Sequence, residues 1–202
     1  MKRLVVRLID GLAMVAVSPA YLLYCLGRST LGPARSFPGW SQAFALIPGL
    51  AGVLLRRAFY RLTLAECSPD ACVLFGSFFS GPAARIGRGV FVGAYCSLGE
   101  NVVEDDVLIG SFVSILNGGR QHGFESLETP IRHQPGTWQV VTIGRGSWVG
   151  ERAVIMADVG SGCVIGAGSV VTRPIPDYAI AQGVPARVVR SRTDLAGQDL
   201  PR

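Results

Sequence analysis

IGRGVF (86–91), VGAYCS (92–97), LGENV (98–102), VEDDVL (103–108) and IGSFVS (109–114) follow one another without a linker. Each segment opens on an aliphatic residue, most continue with Gly, and the fifth place holds a small or β-branched residue. A truncated start follows at Ile115. After an interruption the register resumes as IGRGSW (143–148), VGERAV (149–154), a four-residue remnant at Ile155, VGSGCV (159–164), IGAGSV (165–170) and VTRPIP (171–176). All twelve opening positions are Ile, Val or Leu, with slips only at Leu98 and Ile155.

A six-residue period fits neither the 3.6 of an α-helix nor the alternation of an ordinary strand, so it requires equal flat segments. Three short strands per turn, wound into a triangular coil, satisfy it. Each opening residue then points into the prism and stacks on its counterpart one coil away, which buries an apolar face that no single coil could cover. The glycines are expected to allow the sharp corners. The fifth places, Val90, Cys96, Val102, Val107, Val113, Ser147, Ala153, Cys163 and Ser169, are expected to share the interior, which makes Cys96 and Cys163 small core residues.

Outside the repeat the composition changes. The chain has 202 residues, 49% apolar and 16% charged, which supports a packed core and speaks against disorder. The five cysteines form no CxxC pair and are odd in number, which fits a reducing compartment. Residues 1–66 carry eight Lys or Arg against two acids, yet have no charge from Gly11 to Gly27 or from Ser36 to Leu55. Basic and apolar together point to a membrane surface and away from nucleic acid, for which stacking aromatics would be needed. The first run, 17 residues containing Pro19, falls short of the roughly 20 apolar residues of a spanning helix. Attachment to one face of a membrane is therefore one expectation for this segment, and a buried helical cap on the repeat is the other.

The hexads resemble those of the hexapeptide-repeat acyltransferases, most closely the sugar O-acetyltransferases of polysaccharide biosynthesis. The resemblance implies a mainly β protein, a left-handed parallel β-helix, with an apolar, helical N-terminal segment and a short C-terminal tail. The expected divisions are 1–66 for the apolar basic segment, 67–192 for the β-helix with an inserted loop at 117–142, and 193–202 for a flexible tail. The resemblance also implies acetyl-CoA as acyl donor, no metal, and a homotrimer with active sites between adjacent prisms.

The interruption between Ile115 and Ile143 is polar, contains several glycines and holds both histidines, His122 and His133. Loops this long inside a compact repeat are commonly functional. Acyl transfer to a hydroxyl needs a base that takes the proton as oxygen attacks the thioester and later gives it to the thiolate, a task suited to imidazole. His122 stands close to the coil, just after Asn117-Gly118-Gly119-Arg120-Gln121, where a rigid scaffold can position it; His133 lies deeper in the loop. The resemblance favours the same choice, since the family's catalytic histidine sits at the root of such an excursion. Glu125 is the expected partner that orients the imidazole, with Glu128 as the alternative. Asn117, Arg120 and Gln121 are the expected acceptor-binding residues, and backbone N–H groups near Gly118-Gly119 are candidates for an oxyanion site.

The donor needs a narrow groove for its pantetheine arm and cations for its phosphates. Gly166, Ala167, Gly168 and Ser169, then Thr172 and Arg173, then Pro185, Ala186, Arg187 and Arg190 are the candidates, the last four within QGVPARVVR, a close likeness of the family's closing segment. Trp148, at a sixth position, should project outward, against the ligands or into a subunit interface. The expected function is acetyl-CoA-dependent O-acetylation of a sugar hydroxyl in an exopolysaccharide, capsule or lipopolysaccharide precursor. The acceptor is a sugar or lipid-linked glycan and the place is the cytoplasm, peripheral on the inner membrane. Serine acetylation, N-acetylation of an amino sugar and a non-catalytic trimeric scaffold are the alternatives. A zinc site of the carbonic anhydrase kind would need three histidines, and the chain has two.

Overall fold

The computed structural model describes the backbone of residues 2–195 and the side chains from residue 8 onward. Three helices come first: α1 (Lys2–Leu31), α2 (Pro33–Ala45) and α3 (Gly49–Thr63). Pro19 lies inside α1 and has no N–H to give the carbonyl of Val15; the Ser18 hydroxyl donates to that oxygen instead, at 2.7 Å. Pro33 opens α2, where a missing N–H costs nothing. The apolar stretch Leu8–Leu31 is 24 residues of one helix, longer than the uncharged run within it and long enough by length and composition to cross a bilayer.

Six coils follow. The first holds β1 (Glu66–Cys67), β2 (Cys72–Val73) and β3 (Phe78–Phe79), and the second β4 (Arg85–Ile86), β5 (Phe91–Val92) and β6 (Ser97–Leu98). The third holds β7 (Val102–Val103), β8 (Leu108–Ile109) and β9 (Ser114–Ile115), and the fourth β10 (Thr142–Ile143), β11 (Trp148–Val149) and β12 (Val154–Ile155). The fifth has a bridge at Val159, then β13 (Val164–Ile165) and β14 (Val170–Val171); the sixth has a bridge at Ile175, then β15 (Ala179–Gln182). These strands stack in parallel register into three faces: β1-β4-β7-β10, then β2-β5-β8-β11-β13-β15, then β3-β6-β9-β12-β14. All twelve opening residues of the repeat point inward and are buried.

Three details differ from the sequence reading. The repeat begins one coil earlier, with Cys67, Val73 and Phe79 stacked on Ile86, Val92 and Leu98. Val102 is only partly buried, and its neighbour Asn101 takes the interior place; LGENV is one residue short, so the count to the inward position shifts. The Asn101 amide donates to Leu116 O, at 3.1 Å. Lastly, the glycines after the opening residues serve close approach and not the bend. A Cβ on Gly150 would lie 2.6 Å from Ala167 N. The left-handed backbone falls two places later, where Gly168 has φ 69° but Tyr95, Phe112 and Arg152 adopt it as well.

Both ends of the solenoid are closed. At the first coil the helices supply partners for the free edge: Arg56 donates to Val73 O, the Ser41 hydroxyl accepts from Phe79 N, and Gly76 N donates to Ala45 O. Tyr24, Phe37, Phe44, Phe59 and Tyr60 fill the space between the helices, and Tyr60 meets Phe79 edge-on at 5.0 Å. At the last coil β16 (Arg187–Ser191) runs antiparallel to β15 and ends the parallel ladder. Residues 193–195, expected to begin a flexible tail, belong to a 3₁₀ turn, Arg192–Leu195; the remainder of that tail, 196–202, lies outside the described residues.

Candidate functional site

The irregular steps of the repeat fall on one edge of the prism. Inward residues are six apart from the first face to the second in all six coils and from the second to the third in the first five. From the third face back to the first the step is variable: seven residues from Phe79 to Ile86, five from Leu98 to Val103, and four from Ile155 to Val159 and from Val171 to Ile175. VTRPIP is therefore not a full hexad. The long excursion after Ile115 leaves from this same edge.

Below that excursion the short corners leave a groove of about 840 Å³, lined by Gly119, Arg120 and Val140 from the loop and by Met156, Asp158 and Pro174 from the short corners, among others. Thr172 lines it as well, and Arg173 stands exposed between Thr172 and Pro174. The four-residue steps were the signal in the sequence that could have located Met156, Ala157, Asp158 and Pro174.

The loop is tied at its neck. Gln139 N donates to Asn117 O at 3.0 Å, and Thr137 N to Arg120 O at 2.7 Å. Asn117 is buried; its amide oxygen accepts from Glu100 N and its nitrogen donates to Glu100 O and Gln139 O. Its side chain thus fastens the loop to the second coil and is not offered to an acceptor. Above the neck, Gly123 and Gly136 let the outgoing and returning chains touch: a Cβ on Gly136 would lie 2.6 Å from His122 N, and one on Gly123 2.6 Å from Pro135 O. Gln134, which sequence reasoning passed over, is buried and holds the tip, accepting from Ser126 N and donating to Ser126 O and Thr129 O at 2.8–2.9 Å.

His122 sits on this pinned backbone with its side chain exposed, two residues beyond Arg120 in the groove wall. Glu125 does not reach the imidazole; it forms an ion pair with Arg120, whose guanidinium also lies 5.3 Å from the Phe124 ring centre, and it accepts from Phe124 N. Both partners of that pair are largely exposed, so it orders the loop more than it stabilises the fold. Gln121 donates weakly to Gly118 O, at 3.4 Å. His133 is exposed on a 3₁₀ turn, Ile131–His133, where its Nε2 accepts from Arg132 Nε. Glu128 is exposed on the tip.

The expected donor residues are divided among several places. Gly166, Ala167 and Gly168 form the corner between the second and third faces, away from the groove. Ser169 is fully buried and its hydroxyl accepts from Gly183 N, so its side chain belongs to the core of the last coils. Ala186 is likewise buried, donating its N–H to Val170 O, beside exposed Pro185. Arg187 and Arg190 are exposed on β16. Trp148 projects from the second face in a row with Phe91 and Leu108, all exposed, and does not line the groove. Among the described residues no three His, Cys, Asp or Glu side chains are grouped to hold a metal.

Comparison with known proteins matches residues 140–173 to the family described as the hexapeptide repeat of succinyl-transferase. A probable acetyltransferase of Mycobacterium tuberculosis is 32% identical over 119 residues, covering 58% of this chain and 38% of its own. The chain thus spans well under half the length of the first curated relatives it matches. A serine acetyltransferase of Bacillus subtilis is 31% identical over 167 residues, covering 75% of this chain and 67% of that protein. Among solved structures, a galactoside acetyltransferase in complex with coenzyme A superposes with a TM-score of 0.71 at 26% identity, covering 84% of this chain and 86% of the other.

Proposed function

The chain belongs to the hexapeptide-repeat acyltransferase family, and on that premise we propose that it transfers an acetyl group from acetyl-CoA to a sugar hydroxyl, with His122 as general base. The observation that carries this reading is the placement of His122: an exposed residue on a backbone pinned by Gly136, two positions beyond Arg120 in the wall of the groove on the variable edge. His122 takes the acceptor proton as the oxygen forms its bond to the thioester carbonyl; as the C–S bond breaks, the same proton goes to the departing thiolate. The products are the acetyl ester and free coenzyme A.

The groove suits the donor. Its volume lies within the range of about 300–1,000 Å³ usual for ligand sites, and its walls combine apolar Val140, Val141 and Met156 with backbone at the four-residue corners. Arg173 beside it supplies a cation for phosphate. Arg187 and Arg190, on another face, are available to the same donor only if a neighbouring subunit brings them there, which is the arrangement of a homotrimer. The exposed row Phe91, Leu108 and Trp148 supports such packing, since burying one flat apolar face per subunit suits a closed cyclic assembly.

The likeness to a galactoside acetyltransferase favours a sugar acceptor, and a glycan precursor for exopolysaccharide, capsule or lipopolysaccharide made in the cytoplasm is the form we infer. A second reading, acetylation of serine, draws support from the serine acetyltransferases among the relatives. Thiol release from acetyl-CoA by the purified chain, measured against sugars, glycan oligosaccharides and serine beside His122→Ala, separates the two. Histidine-dependent turnover with a glycan supports the first reading and turnover with serine alone the second; no turnover and no calorimetric binding of coenzyme A would leave a scaffold.

A further inference from the structure

α1 presents two apolar sides. One, bearing Ala13, Val17 and Tyr24, is buried against α2 and α3. The other carries Leu8, Leu12, Val15, Leu22, Leu23 and Leu26, each at least 56% exposed. At 100° per residue these six fall within a stripe about 100° wide, opposite the buried side, and they run about 27 Å along the axis. No charged residue lies between Gly11 and Gly27. Beside the stripe an apolar groove of about 250 Å³ opens between α1 and α3, lined by Ile9, Leu12, Ala16, Ala51, Leu54 and Leu55, and Leu50 is exposed at the start of α3. The two helices together make one aliphatic platform.

We propose that this platform docks the protein on an anionic lipid leaflet, with α1 lying in the interface. Charge selects the occupant. Lys2, Arg3 and Arg7 precede the stripe in sequence, and exposed Arg28 and Arg35 follow it. Anionic headgroups neutralise both ends, whereas a second copy paired along the same stripe brings cation against cation in either direction. A flat position also follows from the packing. Asp10 and Arg57 pair at 2.5 Å on the seam between α1 and α3, and α3 carries buried Arg56 against the first coil. An upright α1 would draw these groups into hydrocarbon, while a flat one leaves them on the protein side. Docking is independent of the transfer reaction, so it is tested without donor or acceptor.

The experiment is flotation of the full chain with vesicles of phosphatidylglycerol and phosphatidylcholine in equal parts, and with phosphatidylcholine alone. A variant carrying Leu12→Gln, Leu23→Gln and Leu26→Gln is run beside it, with circular dichroism to verify its fold. The expected result is binding to the anionic vesicles that is at least about tenfold weaker on phosphatidylcholine, weakens with salt, and falls about a hundredfold in the folded variant. Absence of binding, equal binding to both vesicles, or undiminished binding of the variant would overturn the proposal. So would a drop in sedimenting mass caused by the three substitutions without lipid, which would assign the stripe to a second copy.

Discussion

Replacing Arg56 with Met removes the cation that joins the helical cap to the first coil while keeping most of the side-chain volume. Arg56 is fully buried and donates to four carbonyls: Val73 O at 3.0 Å, Phe44 O at 3.0 Å, Ala45 O at 3.2 Å and Ile47 O at 2.8 Å. Two of these have a second donor, Ile47 N on Phe44 O and Gly76 N on Ala45 O. Arg56→Met therefore strips Val73 O and Ile47 O of the donor that Arg56 supplies. At about 1–3 kcal/mol for each buried acceptor, the gross loss is about 2–6 kcal/mol. Relief from burying the guanidinium, whose Nη2 has no partner, offsets part of it and leaves about 2–4 kcal/mol. Urea unfolding at fixed protein concentration, followed by far-ultraviolet dichroism, measures the difference. A change below about 0.5 kcal/mol would refute the view that this arginine secures the cap.

His122→Ala is expected to lower turnover by about a hundredfold or more while coenzyme A still binds, as calorimetry would show. Gln134→Leu keeps the volume but unties the loop tip, so the Michaelis constant for the acceptor should rise with little change in unfolding midpoint. Gly150→Ala drives a Cβ against Ala167 N and should cost about 1–3 kcal/mol, read by denaturation. Burial pushes the Cys67 thiol up to about 12, from an ordinary 9.0, with Arg61 and Arg57 pulling the other way. The folded state keeps a proton that the unfolded chain releases, so the stability this thiol contributes is whole below pH 9.0 and is lost as pH rises toward 12. Cys67→Ala should flatten that alkaline decline in melting temperature; an unchanged slope would exclude the thiol as its source.

The inward residues were legible because a prism of equal sides imposes its period on every coil, and each aliphatic opening residue reports its own direction. Legibility failed where the sides became unequal. Asn101 entered the interior in place of Val102 because one residue is missing before it, and Thr172-Arg173-Pro174 looked like part of a hexad because the hydrophobic Ile175 arrives early. The first coil fell within the expected β-helix, 67–192, but its hexads went unread, since Ser68, Leu74 and Ser80 follow its inward residues where Gly was the expected mark. Within the loop His122 stood out by chemistry alone. Its supports, Gln134 and Gly136, act across the chain reversal, and no local pattern announces such a contact. The pairing of Glu125 with Arg120 is likewise a matter of three-dimensional reach, which spacing could not decide between two carboxylates.

Confinement of every irregular step to one edge has a consequence for how such a molecule can change. Two edges are locked, because altering the six-residue step there would throw all later strands out of register with their neighbours. The third edge tolerates steps of four, five, seven or twenty-eight residues while β9 and β12 remain paired, Ser114 with Val154 and Ile115 with Ile155. The segment from Leu116 to Val141, gathered at its base by Asn117 and Gln139, is in this sense a cassette. It can be lengthened, shortened or exchanged for another excursion with the scaffold unaltered, so variation in length and sequence is accommodated at one corner only.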